Sequence, residues 1–211
     1  MAAKISFDCS LGEDWAAYYK KTGYRPPRPT LLRALDAFSQ EASSEDLLAV
    51  DLGCGSGRDT IEILRRGWRV LAIDASKTAF KELFGRHDLP DDALIGTQLA
   101  RFEEMKLPPC DLVNAGFSLP LCAKESFPAV WAKILKSLRP GGRFSGQFYG
   151  NRDSWAVDPE LTILTLNEVK TYLASLELEY FEEEEEDSIT PRGRSKHWHI
   201  FHIVARKKTR A

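Results

Sequence analysis

Residues 47–60 read LLAVDLGCGSGRDT, an apolar run that ends in an aspartate and leads into three glycines at alternate positions. The apolar run does not alternate with polar residues, which is typical of a strand covered on both faces of a parallel sheet. A parallel strand needs a crossover helix to return to the same sheet, and RDTIEILRRG, closed by Gly67, has that helical pattern. This strand–turn–helix unit restricts the chain to a wound α/β sheet.

The alternation of strand and helix patterns continues along the chain. Further strand patterns are WRVLAID, ALIGTQL, CDLVNAG and RFSGQFYG, and further helical patterns are SKTAFKELFGR, ESFPAVWAKILKSL and LNEVKTYLASL. The last two strand patterns, LELEYFEEEEED and HWHIFHIVARK, have no helix between them and are expected to pair antiparallel. The sequence therefore predicts a doubly wound α/β fold with a mostly parallel seven-stranded sheet and an antiparallel C-terminal edge pair.

No internal repeat or linker divides the 211 residues, so we expect one domain over residues 1–211. Before the first strand, SLGE at Ser10 is typical of a helix start, and PGG at residues 140–142 is typical of a sharp turn.

Composition excludes several function classes. The chain has 29 basic and 31 acidic side chains, so it lacks the basic excess that nucleic-acid binding requires. No apolar run reaches the ~18 residues of a membrane span, and the N-terminal sequence does not read as a signal peptide. The four cysteines show no C-x-x-C spacing, which argues against zinc and for a reducing compartment. We expect a cytoplasmic protein that binds neither membrane nor nucleic acid.

The glycine spacing indicates which ligand the turn accepts. A dinucleotide site needs G-x-G-x-x-G, but the position of the third glycine is occupied by Arg58 and the spacing is G-x-G-x-G. Asp51, two residues before the first glycine, would repel a pyrophosphate and attract an amine. Asp74, at the end of the second strand, is at the position that accepts hydrogen bonds from ribose hydroxyls. A ribose with a charged amine and no phosphate describes S-adenosylmethionine.

These two motifs resemble those of class I S-adenosylmethionine-dependent methyltransferases, and the resemblance covers nearly the whole chain. It implies that the methionine part of the cofactor lies against Asp51, Gly53, Cys54, Gly55 and Gly57. It also implies that Asp74 holds the ribose, that Ala75 and the backbone of Phe102 lie near the adenine, and that Asn114 and Ala115 lie near the methyl group. Where the family often has an aspartate facing the adenine this chain has Arg101, and Glu103 is the candidate replacement.

Plainer interpretations stay open at this stage. The glycines can form only a tight turn, Asp51 can cap a helix, and Asp74 can be a loop carboxylate without a ligand. At the level of function, one alternative is a non-catalytic S-adenosylmethionine-binding regulatory module. An NAD(P)-dependent oxidoreductase is a further alternative, against which Arg58 argues.

The loop NAGF and the two ends of the chain bear on the methyl acceptor. Relatives that methylate planar amines often carry [DN]-P-P-[YF], whereas here only Asn114 and Phe117 match. The N-terminal aromatic segment and SKHWHIFHIVARK resemble the small tellurite-resistance and thiopurine-type methyltransferases, which act on thiols or chalcogen oxyanions. This resemblance implies a small-molecule acceptor and a lid formed by residues 1–29, with an inner face and anion contacts drawn from Trp15, Tyr18, Tyr19, Arg25 and Arg28. The alternative is an aromatic stripe that only packs on the sheet.

Two clusters of polar residues have plain structural interpretations. The acidic run Glu182–Asp187 lies in a predicted edge strand, where charges discourage edge-to-edge pairing. His197 and His199 lie on one face of the last strand and His202 on the other, so the three cannot converge on a metal ion. We therefore expect no metal site.

Overall fold

The computed structural model describes residues 12–41, 46–191 and 193–209. Its helices are α1 (Gly12–Thr22), α2 (Pro29–Ser39), α3 (Arg58–Arg65), α4 (Lys77–Phe84), α5 (Phe127–Ser137) and α6 (Leu166–Leu173). Its strands are β1 (Leu48–Leu52), β2 (Arg69–Asp74), β3 (Ile95–Leu99), β4 (Cys110–Ala115), β5 (Leu138–Gly150), β6 (Ile163–Leu164), β7 (Leu176–Ile189) and β8 (Ser195–Lys207). The helix start predicted at Ser10 lies outside the described residues.

The strands form one sheet in the order β3-β2-β1-β4-β5-β8-β7. Strands β1 to β5 pair in parallel, and β8 runs antiparallel to both β5 and β7. The predicted fold class is therefore confirmed. The count of strands differs, because β6 pairs with β5 at Tyr149 and Gly150 as an eighth strand. Two residues are too few to show a hydrophobic period, so no sequence pattern predicts this strand.

The sequence predicts a sharp turn at the PGG segment. In the structure this segment lies inside β5. The pairing of β4 with β5 shifts register between Cys110 and Leu112, and Gly141 has φ of 83°. The additional residues form an irregularity in a strand that continues on both sides, so the glycine serves a local bend in the ladder.

Both faces of the central strands are covered, as the unbroken apolar pattern of β1 predicts. Val50 packs in the cluster that includes Trp131 of α5, and its neighbour Ala49 packs in the cluster that includes Leu35 of α2. Burying each large apolar side chain contributes about 1.5–3 kcal/mol, so the two layers hold the carboxyl ends of β1, β4 and β5 in fixed positions. Those three strand ends carry the candidate site.

The acidic run lies in β7, the last strand of the sheet order, which confirms the edge-strand prediction. Its carboxylates are matched by cations from neighbouring elements; Arg152, for example, lies 2.7 Å from both Glu183 and Glu185. No helix in the described part of the chain is long and apolar enough to cross a membrane.

Candidate functional site

The turn after β1 is built from three glycines with positive φ: 66° at Gly53, 53° at Gly55 and 82° at Gly57. The turn is also crowded. A Cβ on Gly53 would lie 2.4 Å from Cβ of Ser118, and one on Gly55 would lie 3.0 Å from Cε1 of Tyr19. The turn therefore needs glycine at these positions, both for its positive φ angles and for the close approach of Ser118 and Tyr19.

Asp74, at the end of β2, connects the glycine turn to α4. Its carboxylate accepts hydrogen bonds from the backbone N–H groups of Gly55 at 2.9 Å and Ser76 at 2.8 Å. Burial raises the pKa of Asp74, and these backbone donors oppose that rise. The side chain therefore sits at the junction of the turn and the second strand, at the position where the sequence predicts a ribose contact.

Asp51 lies at the end of β1 with only 2% of its surface exposed. Its two oxygens accept hydrogen bonds from Thr60 Oγ1 at 2.6 Å and from Asn114 Nδ2 at 2.9 Å. Burial and the nearby Asp59 carboxylate raise the pKa of Asp51 to about 7, although the two hydrogen bonds oppose the rise. Each carboxylate oxygen has a second lone pair, so these two bonds do not exhaust its capacity as an acceptor.

Asn114, on β4, lies between two carboxylates. Its amide group also donates to Asp59 Oδ2 at 3.1 Å, and its oxygen accepts from Ser145 at 2.8 Å. Asp59 in turn accepts a hydrogen bond from the backbone N–H of Arg28 at 3.0 Å. This buried network connects the glycine turn to the start of α2.

The loop after β4 is held in a strained conformation. Phe117 has φ of 59°, an uncommon value for a residue other than glycine, and its N–H donates to Gln147 at 3.1 Å. Gln147 also donates to Thr30 at 2.8 Å. The Arg28 guanidinium lies over the Phe117 ring, 4.3 Å from its centroid, so a cation and an aromatic wall meet beside the strand ends.

The aromatic residues of α1 lie over the glycine turn. Tyr19 is 6% exposed, and both burial and the nearby Asp74 carboxylate raise its pKa. Its ring stacks on Trp15 with centroids 5.9 Å apart, and Tyr18 meets Trp15 edge-on at 5.7 Å. Of this stripe, Tyr19 is the residue that lies against the backbone at Gly55.

The other predicted site residues differ in how far they are covered. Ala75 and Arg25 are exposed, Ala115 is buried in β4 and Cys54 is buried within the glycine turn. The ring of Phe102 packs against the main core, and the 31% exposed side chain of Glu103 lies 3.9 Å from Arg101. The structure thus brings together the residues of β1, β2, β4 and the N-terminal segment, and leaves the group after β3 at the rim.

Sequence reasoning assigned no role to several residues that the structure places here. Burial and nearby Arg28 lower the pKa of Arg58 to about 10, so positive charge is concentrated at the start of α3. The signal for Arg58 was its position in the motif, where a dinucleotide turn has glycine. Thr60, Ser145 and Gln147 gave no signal, because their partners come from distant parts of the sequence.

The three histidines of β8 bind carboxylates of β7 rather than one another. His197 Nδ1 lies 2.9 Å from Asp187, His199 Nε2 lies 2.9 Å from Glu183, and His202 Nε2 lies 2.9 Å from Glu184. Within the described ranges, no group of three or more His, Cys, Asp or Glu side chains is placed to hold a metal ion.

Solved structures with this fold include several methyltransferases. TehB from Haemophilus influenzae is 17% identical with a TM-score of 0.74, over 90% of this chain and 66% of that one. A SAM-dependent methyltransferase from Methanosarcina mazei is 17% identical with a TM-score of 0.65, over 88% and 100%. The Burkholderia thailandensis 1,6-didemethyltoxoflavin-N1-methyltransferase, with bound S-adenosylhomocysteine, is 20% identical with a TM-score of 0.59, over 86% and 77%. At these identities the likeness shows the fold.

The sequence itself was also compared with known proteins. No curated protein matches it. Residues 49–142, which include the glycine turn, Asp74 and Asn114, match the family described as methyltransferase domain. These residues form a methyltransferase domain, and the chain has the fold of S-adenosylmethionine-dependent methyltransferases. In this methyltransferase domain the glycine turn and the Asp74 carboxylate fit S-adenosylmethionine, which needs a turn with positive φ angles after the first strand and hydrogen-bond acceptors for two ribose hydroxyls.

Replacing Asp74 with asparagine is expected to weaken the binding of S-adenosylhomocysteine by about 10- to 100-fold, because hydrogen bonds to a charged group are worth about 1.5–3 kcal/mol. The stability of the ligand-free variant should change little, because the amide oxygen still accepts a backbone bond and burial no longer opposes a charge. Isothermal titration calorimetry measures the affinity, and Asp92→Asn, at an exposed aspartate before β3, is the control. An unchanged dissociation constant would remove Asp74 from the cofactor site.

Proposed function

We propose that this methyltransferase transfers a methyl group to a small soft nucleophile, either a thiol or a chalcogen oxyanion. The observation that carries the proposal is the arrangement at Phe117, whose ring contacts the Arg28 guanidinium at 4.3 Å and lies 6.1 Å from the ring of Tyr149. This arrangement places two aromatic rings and one cation beside the strand ends where the methyl group would be delivered. Such surroundings suit a small, polarisable acceptor that carries negative charge when it reacts.

We propose that different site residues contact different parts of the cofactor. The methionine part lies against Asp51 and the glycine turn, including Cys54, and Asp74 holds the ribose. Ala75, Phe102 and Glu103 border the adenine, and Asn114 and Ala115 lie near the methyl group. The cofactor supplies an electrophilic methyl group with an activated leaving group, so the protein's contribution is to position the acceptor and exclude water.

We propose that residues 1–29 act as a lid in this single-domain protein. The support is the position of α1, whose Tyr19 covers Gly55 and whose Trp15 and Tyr18 lie beside it. A lid of aromatic residues excludes water from the space between cofactor and acceptor, which strengthens electrostatic interactions there.

A macromolecular acceptor is less well supported than a small one. The net charge of −2 gives little source of affinity for phosphate. Among the structural relatives, the Burkholderia enzyme binds a small heterocycle, 1,6-didemethyltoxoflavin.

The proposed function is tested with methyl-labelled S-adenosylmethionine and a panel of acceptors. The panel contains mercaptoethanol, para-nitrobenzenethiol, selenite and tellurite, with RNA and duplex DNA as macromolecular arms. We expect labelled product from at least one thiol or oxyanion and none from the nucleic acids. Methylation of RNA or DNA, or no turnover of any small acceptor, contradicts the proposal.

Arg28→Gln should lower kcat/KM for an anionic acceptor such as selenite by roughly 10- to 100-fold, because charge-assisted hydrogen bonds are worth about 1.5–3 kcal/mol. Arg25→Gln is the matched control, since Arg25 is exposed whereas Arg28 is half-buried over Phe117. The backbone N–H of Arg28 that binds Asp59 is retained in the variant. An unchanged kcat/KM in Arg28→Gln, or an equal loss in both variants, would argue against a specific contact between Arg28 and the acceptor.

A further inference from the structure

A histidine–carboxylate pair lies on the same side of the sheet as the proposed acceptor space. His202, on β8, is directly opposite Gln147 of β5, the residue that holds the backbone of Phe117. The rings of His202 and Phe117 meet edge-to-face with centroids 6.2 Å apart. The side chain of His202 is 16% exposed, so it is largely covered without being sealed in the core.

Glu184, on β7, fixes the orientation of this histidine. The His202 Nε2 lies 2.9 Å from Glu184 Oε2, and a carboxylate acceptor at that distance makes Nε2 the protonated nitrogen. Among the described residues, no group forms a hydrogen bond with the other ring nitrogen, Nδ1. Nδ1 therefore carries a lone pair that is not used within the protein.

The surroundings of His202 include few other charges. Glu182, opposite it in β7, accepts a hydrogen bond from the Tyr180 hydroxyl. On the side of the proposed acceptor space, the Phe117 ring contacts both His202 and the Arg28 guanidinium. The site thus pairs one base with one cation across an aromatic ring.

We propose that His202, oriented by Glu184, is the general base that removes the proton from the methyl acceptor. This inference rests on the proposed methyl transfer and deepens it, because a site with its own base takes an acceptor that arrives protonated. Among the proposed acceptors it favours a thiol over an oxyanion. A positioned base with a carboxylate behind it is the arrangement that activates weak nucleophiles in enzymes.

The proton and electron balance of the step is simple. The S–H bond of the acceptor breaks and its proton moves to Nδ1 of His202, while the sulfur electron pair forms the new bond to the methyl carbon. The bond from that carbon to the sulfonium sulfur breaks, and its electron pair remains on that sulfur. The positive charge of the sulfonium is thus transferred to the imidazolium, where the Glu184 carboxylate stabilises it.

The other histidines of β8 provide a built-in control. His197 is also bonded to carboxylates, Asp187 at 2.9 Å and Glu185 at 3.3 Å, but it is an odd-numbered residue of the strand and faces away from Phe117. His197 therefore has carboxylate partners like those of His202, but it does not lie beside the proposed acceptor space.

The test compares two thiols that differ in ionisation. Mercaptoethanol is largely protonated at neutral pH, whereas para-nitrobenzenethiol is largely ionised and does not need a base. His202→Gln should lower kcat/KM for mercaptoethanol by about 100-fold and for para-nitrobenzenethiol by no more than about threefold, since general-base catalysis contributes about 10²–10⁴-fold. Glu184→Gln should show the same contrast more weakly, and His197→Gln should leave both rates unchanged.

The outcomes separate the two levels of the proposal. Equal losses for both thiols in His202→Gln, or no loss for either, overturn the proton transfer while leaving the proposed methyl transfer intact. A wild-type protein that methylates neither thiol overturns the thiol acceptor and this inference with it. Circular dichroism of each variant, and calorimetric titration with S-adenosylhomocysteine, establish that the fold and the cofactor site are unchanged.

Discussion

Replacing Gly57 with alanine is expected to lower the free energy of unfolding by about 3 kcal/mol or more. Two costs add at this position. Alanine at φ of 82° is strained by about 1 kcal/mol or more, and its Cβ would lie 2.2 Å from Cδ1 of Leu83. Relieving that overlap in a packed region costs typically a further 1–3 kcal/mol.

Gly67→Ala separates the two costs. Gly67 has φ of 79°, close to that of Gly57, but a Cβ there would meet nothing within 4 Å. It should therefore lose only the conformational part, about 1 kcal/mol. Urea denaturation measures both variants, and similar losses in the two would show that the contact with Leu83 is easily relieved.

Asp51→Asn is expected to change cofactor affinity and protein stability in opposite directions. We propose that the carboxylate is the counter-charge of the cofactor amine, so its neutralisation should weaken S-adenosylhomocysteine binding by about 10- to 100-fold, on the scale of one charged hydrogen bond. Because burial raises the pKa of Asp51 to about 7, wild-type affinity should also increase as the pH rises through that value. The variant should show no such increase.

The stability effect follows from the same pKa. Burial raises the pKa of Asp51 from 3.8 to about 7, so the folded protein retains a proton that the unfolded chain releases at lower pH. This group therefore lowers the stability of the wild-type protein as the pH rises from about 4 to about 7. The asparagine variant has no such group and does not show this loss. A shift of that size corresponds to about 4 kcal/mol, and imperfect pairing of the new amide opposes it, so we expect a gain of about 2 kcal/mol at pH 8.

Urea denaturation at pH 5 and pH 8 checks this expectation, because the difference between variant and wild type should grow with pH. Thr60 and Asn114 can each still bond the asparagine, Thr60 by acting as an acceptor. A variant that is less stable than the wild type at pH 8 would show that the Asp51 carboxylate is favourable in the folded protein and that burial does not raise its pKa.

The sequence predicts most of the fold, because most strands and helices have the hydrophobic pattern that is typical of their type of element. The run LLAVDL lacks alternation and indeed has cover on both faces, and the acidic stretch of β7 is at the sheet edge. Two features were missed for physical reasons. The strand β6 has only two residues, and the PGG segment keeps its ladder pairing as an irregularity inside β5.

The candidate site could be predicted only in part. The glycines and Asp74 are local signals, since one turn and one strand end define them. The network of Asp51, Asn114 and Asp59 depends on which side chains meet across strands, and Asn114 is 63 and 55 residues from its two carboxylate partners. Similarly, nothing in the order of residues indicated that His202 lies beside Phe117, 85 positions earlier in the chain numbering.

The three glycines of the cofactor turn are each confined by a different part of the protein. Ser118 follows β4, Tyr19 belongs to α1 and Leu83 belongs to α4. The turn is thus packed against three different elements of the fold rather than exposed as a loop. If the loop after β4, α1 or α4 moves, the space at one glycine changes and the whole turn has to adjust. The methyl donor in the turn and the aromatic residues of α1 therefore cannot move independently.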